Sequence, residues 1–368
     1  MRIKSLSLEN MRSYDRLALS LGDARRHVFV GPNGGGKTNL IEALSFLSYG
    51  RSCLKAAPDD VLRWGADFFR IRAEGEMADS SACSLEYVWQ RAPRRKCATF
   101  INDVRLPLLK FVGALKTVIF LPEDLDLFTG APQHRRGFLD ILISQTDDNY
   151  TSLRVEYDRL LRQRNALLKR ISEGQAEKNE VTLWDDQLAH TAAEVQLRRI
   201  KIIGLFNVGL KTSLALLSEE SDDALMVYER KTQATEASVL KKEFQTFLSG
   251  SIDIDLMLCT TTVGPHRDDW HLVLRGHPLE KFASRGQQRT CLLALLLRSA
   301  DILAEVSGER PTVLLDDVLS ELDDRHQEAL LKALSGNQVL ITSTHQVPIY
   351  RDTAVWEVNK GVVISNRQ

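Results

Sequence analysis

The stretch Gly31-Pro32-Asn33-Gly34-Gly35-Gly36-Lys37-Thr38 decides how this chain reads. It fits G-x-x-x-x-G-K-[ST] at every specified position. Val28-Phe29-Val30 before it reads as a buried strand, and Asn39-Leu40-Ile41-Glu42-Ala43-Leu44 after it reads as a helix. A strand feeding a glycine loop and then a helix is the context that a phosphate-binding loop requires. The glycines let successive backbone N–H groups turn inward around phosphate oxygens, and the helix start adds positive potential. Gly31 through Thr38 are therefore the expected ATP contacts. Lys37 is placed to reach the β- and γ-phosphates, and Thr38 to ligate Mg²⁺ through its hydroxyl.

Working outward, Thr312-Val313-Leu314-Leu315-Asp316-Asp317 is an apolar strand ending in two acids. In open α/β sheets substrate sites lie at the C-terminal ends of the strands, which puts these carboxylates beside the glycine loop. Asp316 is expected to hold Mg²⁺, and Asp317 to orient or deprotonate the attacking water. Ala283-Ser284-Arg285-Gly286-Gln287-Gln288-Arg289 lies about thirty residues earlier and opens a strongly apolar helix. It resembles the signature of ABC ATPases, in which a serine and a glycine at a helix start meet the γ-phosphate held by the other subunit. Ser284, Gly286 and Gln287 are the candidates for that contact in trans. Ser320-Glu321-Leu322-Asp323 then resembles a D-loop, through Ser320 and Asp323. His345, after the apolar strand Val339-Leu340-Ile341, falls where the switch histidine of ABC ATPases sits; the competing reading is a plain surface histidine.

From loop to signature is roughly 250 residues, far more than a transporter nucleotide-binding subunit needs. The insertion must form a lobe or arm. Tyr150, Leu153, Tyr157, Leu160, Leu161, Leu167, Leu168 and Ile171 recur at helical spacing, Ser172-Glu173-Gly174 stops that helix, and Thr182 with Asp185 marks the start of a second. Two helices with a short polar connector form an antiparallel hairpin, and without a long heptad run it is a compact arm. The expected fold is α/β: an ABC/SMC-type P-loop ATPase head with an inserted, mainly helical lobe. Its parts are residues 1–125 (head, with the P-loop), 126–255 (helical lobe) and 256–368 (the rest of the head).

Bulk properties agree with a soluble cytoplasmic protein. The apolar fraction of 43% and charged fraction of 26% exclude disorder. Five scattered cysteines, none in a C-x-x-C pair, read as thiols in a reducing compartment. The longest apolar run, Cys291 to Leu297, is too short to span a bilayer. A net charge of −1 means that any contact with nucleic acid depends on local clustering of basic residues. Arg91, Arg94, Arg95 and Lys96, on a hairpin tip between two expected strands, are the densest such cluster. A solvated turn explains them equally well.

A narrower resemblance rests on Leu8-Glu9-Asn10-Met11-Arg12-Ser13-Tyr14, Phe120-Leu121-Pro122-Glu123-Asp124-Leu125, Arg135-Arg136-Gly137-Phe138-Leu139-Asp140, Gln163 to Lys169, Gly264-Pro265-His266-Arg267-Asp268-Asp269, Ser284 to Thr290 and Leu314 to Asp323. In this order, over nearly the whole chain, they resemble the RecF family of SMC-like, ABC-type ATPases. The departures are Gly35 where the family often has glutamine, Met11 where phenylalanine is expected, and Arg285 where ABC signatures carry a small residue. Glu123 is the positional candidate for a Q-loop residue. The resemblance implies an ATP-dependent homodimer with weak, DNA-stimulated ATPase activity. It further implies binding to double-stranded DNA at single-strand/double-strand junctions, partnership with RecR, and help in loading RecA during gap repair, replication restart and the SOS response. Two rival classes are a transporter-energising ABC subunit, disfavoured by the long insertion, and an SMC-like nuclease or structural clamp. For the latter, no added nuclease domain or long coiled coil is found.

Overall fold

In a computed structural model, residues 1–218, 223–345 and 352–365 are described. The strands in chain order are β1 (Arg2–Met11), β2 (Tyr14–Ser20), β3 (Arg26–Val30), β4 (Phe68–Glu76), β5 (Ala82–Gln90), β6 (Lys96–Ile101), β7 (Val104–Leu106), β8 (Thr117–Phe120), β9 (Ala224–Glu229), β10 (Asp269–Leu274), β11 (His277–Pro278), β12 (Thr312–Asp316), β13 (Val339–Ser343), β14 (Thr353–Asn359) and β15 (Val362–Ser365). The chain divides into two compact units. One comprises Met1–Leu125, Thr212–Ser221 and Arg285–Gln368; the other comprises Asp126–Lys211 and Asp222–Ser284.

The first unit holds two six-stranded sheets. One is antiparallel, in the order β2-β1-β4-β5-β6-β7; the other runs β15-β14-β3-β13-β12-β8. Within the second sheet β14, β3, β13, β12 and β8 are parallel, and only β15 returns antiparallel. β12 and β13 are buried at every position, which explains their unbroken apolar runs in place of alternation. Helix Lys37–Tyr49 touches strands of both sheets, so it too is apolar nearly all round, with Leu40 through Ser48 buried. Phe46 packs edge-on to Phe69 with ring centroids 5.4 Å apart and lies 5.0 Å from Tyr87, tying this helix to the antiparallel sheet. The glycine loop is therefore fixed at one end by the parallel sheet and at the other by a packed helix.

The second unit is mainly helical. Helices Tyr150–Ser172 and Val181–Ala215 form the expected hairpin, closed at its tip by Leu167, Leu168 and Val181. The second helix does not start at a Thr182–Asp185 capping box. Glu177 and Glu180 make a reciprocal cap on the turn before it, Thr182 Oγ1 donates to the Asn179 carbonyl, and Asp185 binds Arg164 at 2.7 Å. Residues 256–284, expected with the head, cluster with this unit because β10 pairs along its length with β9.

Buried ion pairs brace this unit. Arg164, fully buried, holds Asp185 and Asp255 at 2.7 Å each. Arg135 grips Asp269 with two 2.7 Å bonds and also donates to the Gly130 carbonyl. Arg199 binds Asp140 at 2.9 and 3.0 Å and the Pro265 carbonyl at 2.6 Å. The sequence segments around Arg135, Arg164 and Asp268 thus meet inside one scaffold. Among the described residues no helix is long and apolar enough to cross a membrane.

Candidate nucleotide site

Three parallel strands deliver the site. In register, Asp316 of β12 lies beside Thr342 of β13, and Ser343 lies beside Val30, the last residue of β3 before the glycine loop. A cavity of about 160 Å³ follows, lined by Asn33, Gly34, Gly36, Lys37, Thr38, Asn39, Asp316, Asp317 and Thr342. The loop and the two acids, nearly 280 residues apart in sequence, form one surface.

Two glycines here are sterically required. A Cβ on Gly31 would sit 1.9 Å from the Val358 carbonyl oxygen, a backbone atom that cannot rotate away. Gly36 has φ of +109°, and its Cβ would come within 2.7 Å of Ser13 Oγ. Tyr14 from β2 closes the same turn, its hydroxyl donating to the Gly36 carbonyl at 3.0 Å, while Asn39 Nδ2 donates to Ser13 Oγ at 3.0 Å.

Within the cavity Thr38 Oγ1 donates to the Asp316 carboxylate, 3.0 and 2.9 Å from its two oxygens, and Thr342 Oγ1 donates to Asp316 Oδ1 at 2.6 Å. Burial pushes the Asp316 pKa up, opposed by these hydroxyls and reinforced by the charges of Asp317 and Glu123. Lys37 Nζ donates to the carbonyls of Gly31 at 2.8 Å and Pro32 at 3.0 Å; burial pushes its pKa down against the pull of both acids. Asp317 has φ of +50°, unusual for a residue with a Cβ. Its backbone N–H donates to Thr342, and its Oδ1 is buried without a hydrogen-bond partner.

Ser320 Oγ donates to the Asp317 carbonyl at 2.6 Å, linking the turn after β12 to the second acid. Asp323 is the N-cap of helix Asp324–Ala333, accepting from His326 N–H at 2.8 Å. His345 is exposed, its backbone N–H donating to Ser343 Oγ at 3.1 Å. Gly286 and Gln287 do not line the cavity; Ser284 and Gly286 are exposed at the start of helix Arg285–Ser307. Glu123 is exposed, yet its charge acts on Asp316. On the hairpin tip Arg91 contacts Asp67 at 3.4 Å and Arg95 contacts Asp59 at 2.6 Å, while Arg94 and Lys96 have no ion pair among the described residues.

Thr342, Tyr14 and the pair Arg12–Glu42 join the site without a motif to mark them. Arg12 clasps the fully buried Glu42 with two 2.8 Å bonds, and Ser52 Oγ adds a third at 2.6 Å. Glu42 carried a signal: a charge between Ile41 and Ala43 on a buried helix demands a partner. Thr342 carried none, since one hydroxyl at the end of an apolar strand is ordinary.

A family model described as an AAA domain matches residues 5–249. The DNA replication and repair protein RecF of Thermoanaerobacter sp. (strain X514) is 33% identical over 367 residues, 99% of each chain. That of Bacillus subtilis (strain 168) is 32% identical over 99% of this chain and all of its own. A solved structure of the recombination mediator protein RecF with ATP, from the RecFOR pathway, superposes with a TM-score of 0.91 at 29% identity over 99% of this chain and 97% of that one. An Smc head bound to the C-terminal winged-helix domain of ScpA superposes at 0.58 with 14% identity over 99% and 97%, a likeness of fold. The fold is that of an ABC/SMC-type ATPase head, and the chain belongs to the RecF family of ATP-binding DNA replication and repair proteins.

Proposed function

We propose that the chain is a recombination mediator driven by an ATP-dependent dimerisation switch. The observation that carries this reading is the meeting of Thr38, Asp316, Asp317 and Thr342 at the glycine loop, while Ser284 and Gly286 stay exposed for a second copy.

Gly31 to Thr38 wrap the phosphates, and Lys37 exchanges its carbonyl partners for phosphate oxygens. The donor set fits Mg²⁺, since a hydroxyl and a carboxylate within 3.0 Å of each other are hard oxygen ligands. Thr38 and Asp316 would hold the ion, and its charge would offset that of the phosphates. Asp317 directs its unpartnered Oδ1 to the attacking water and accepts its proton. Asp317 is one methylene shorter than the glutamate common in ABC enzymes, so it positions water less well and turnover is slow. His345 senses the γ-phosphate from the end of β13. Ser284, Gly286 and Gln287 of the second copy cover that phosphate, with Ser320 and Asp323 at the seam. ATP then favours the closed dimer, and hydrolysis removes the contact that held it.

The closed dimer binds double-stranded DNA near single-strand gaps, with Arg91, Arg94, Arg95 and Lys96 on phosphates, and DNA stimulates the weak ATPase. In the cytoplasm, with RecR, it assists RecA loading in gap repair, replication restart and the SOS response. The composite site is tested by mixing Lys37→Ala and Ser284→Arg chains, each inactive alone. Mixing regenerates one intact site per heterodimer, so activity returns to a substantial fraction; a mixture as inactive as its components contradicts a site shared between copies.

A further inference from the structure

Among the described residues Trp64 is the most exposed large apolar side chain, at 98%. It is not on a frayed end. Leu62 bridges to Met11, Arg63 N–H donates to the Asn10 carbonyl at 2.9 Å, and Ala66 N–H closes a turn onto the Arg63 carbonyl at 3.0 Å. Trp64 and Gly65 are the central residues of that turn, and the φ of +84° at Gly65 suits a type II turn. An indole that could have been a polar turn residue is held in water by a fixed backbone.

The turn shares one end of the antiparallel sheet with the basic hairpin tip. Phe68, where β4 starts, pairs with Gln90, where β5 ends. Arg91 then ties the two loops together, its N–H donating to the Asp67 carbonyl at 2.7 Å and its guanidinium to the Ala66 carbonyl at 3.0 Å. Two acids at this end are engaged: Asp67 by Arg91, and Asp59 by both Trp89 Nε1 at 2.9 Å and Arg95 at 2.6 Å. Arg94 and Lys96, both exposed, have no ion pair among the described residues, leaving cationic groups on the same end of the sheet as the exposed indole.

Trp64 shares its end of the antiparallel sheet with the arginines of the tip. An aromatic platform flanked by cations is how proteins hold unpaired nucleotides: the ring stacks on a base and the cations take the phosphates. Intact duplex hides its base faces, so the ligand must offer an unstacked base.

We propose that Trp64 and the tip Arg91–Lys96 form a base-stacking site that grips the first unpaired nucleotides beside a duplex. The inference rests on the DNA reading above and assigns to one side chain the discrimination of gapped from intact DNA. The tip cations serve any DNA; Trp64 serves only DNA with exposed bases.

The test uses the full chain with Mg-ATP and two probes, a relaxed covalently closed duplex circle and the same circle carrying a single-stranded gap. Trp64→Ala is expected to weaken binding to the gapped circle about ten-fold and leave the closed circle unchanged, with Trp64→Phe retaining most of the preference. A second readout is tryptophan fluorescence: oligothymidylate quenches the unsubstituted chain, and the quenching is lost in Trp64→Phe. The inference is overturned if Trp64→Ala binds both circles like the unsubstituted chain, if it weakens both equally, or if its defect is in ATP-dependent dimerisation. If the unsubstituted chain binds neither circle, the DNA reading itself fails and this inference with it.

Discussion

Thr342→Val removes one hydroxyl and little volume from the floor of the nucleotide site. Thr342 is fully buried; its Oγ1 donates to Asp316 Oδ1 at 2.6 Å and accepts from Asp317 N–H at 3.0 Å. The Asp317 N–H keeps a second acceptor, the Thr342 carbonyl at 3.1 Å, so the main loss is one bond to a buried carboxylate. Bonds to charged groups contribute about 2 kcal/mol, and that is the destabilisation expected at neutral pH. The pH dependence follows from the sign of the Asp316 shift. Burial raises its pKa in the folded chain, so the folded state binds more protons than the unfolded one, and stability falls as pH rises through the folded value. Valine removes a bond that favours the ionised form and pushes that pKa further up. The cost of substitution is therefore largest at neutral and alkaline pH and shrinks as the carboxyl becomes protonated. Urea unfolding of the nucleotide-free chain at several pH values measures the effect. A loss under about 0.5 kcal/mol, the same at every pH, refutes this account of how Asp316 is held.

Other perturbations separate scaffold from chemistry. Arg12→Ala leaves Glu42 buried with Ser52 as its side-chain partner and should cost about 3 kcal/mol in urea unfolding; adding Glu42→Gln should recover part of it, and no recovery would mean that Arg12 acts elsewhere. Asp317→Glu is expected to change steady-state turnover while ATP affinity by equilibrium binding stays within about two-fold; unchanged turnover would sink the account of slow hydrolysis. Replacing Arg91, Arg94, Arg95 and Lys96 with alanine should flatten the salt dependence of duplex binding, by about 0.9 in log–log slope for each phosphate that the tip neutralises; an unchanged slope removes the tip from the DNA surface.

What was legible in the sequence follows from how local each signal is. The glycine loop, β12 and β13 carry their identity in a few adjacent residues, because a phosphate cradle needs glycines and a doubly covered strand needs an unbroken apolar run. The hairpin Tyr150–Ser172 and Val181–Ala215 showed through its periodicity. Its second start is hidden because Thr182 and Asp185 have the spacing of a cap, whereas Asp185 is spent on Arg164 from the other helix. β9 and β10 pair across a separation of some forty residues, a non-local contact that left 256–284 read with the head. Likewise nothing within the strand Val339–Ser343 says that its threonine will face a carboxylate delivered by β12. The ion pairs Arg135–Asp269 and Arg199–Asp140 show why basic residues in recognisable segments need a structure before a role: these are braces, and DNA contacts must be sought among side chains that remain exposed.

The central claim is an ATP site completed by a second copy and coupled to DNA, and ATP hydrolysis measured against protein concentration, with and without double-stranded DNA, tests it most directly. The account predicts specific activity that climbs with concentration and climbs again when DNA is added. Specific activity flat in both would contradict it, leaving an ATPase whose site is complete within one chain.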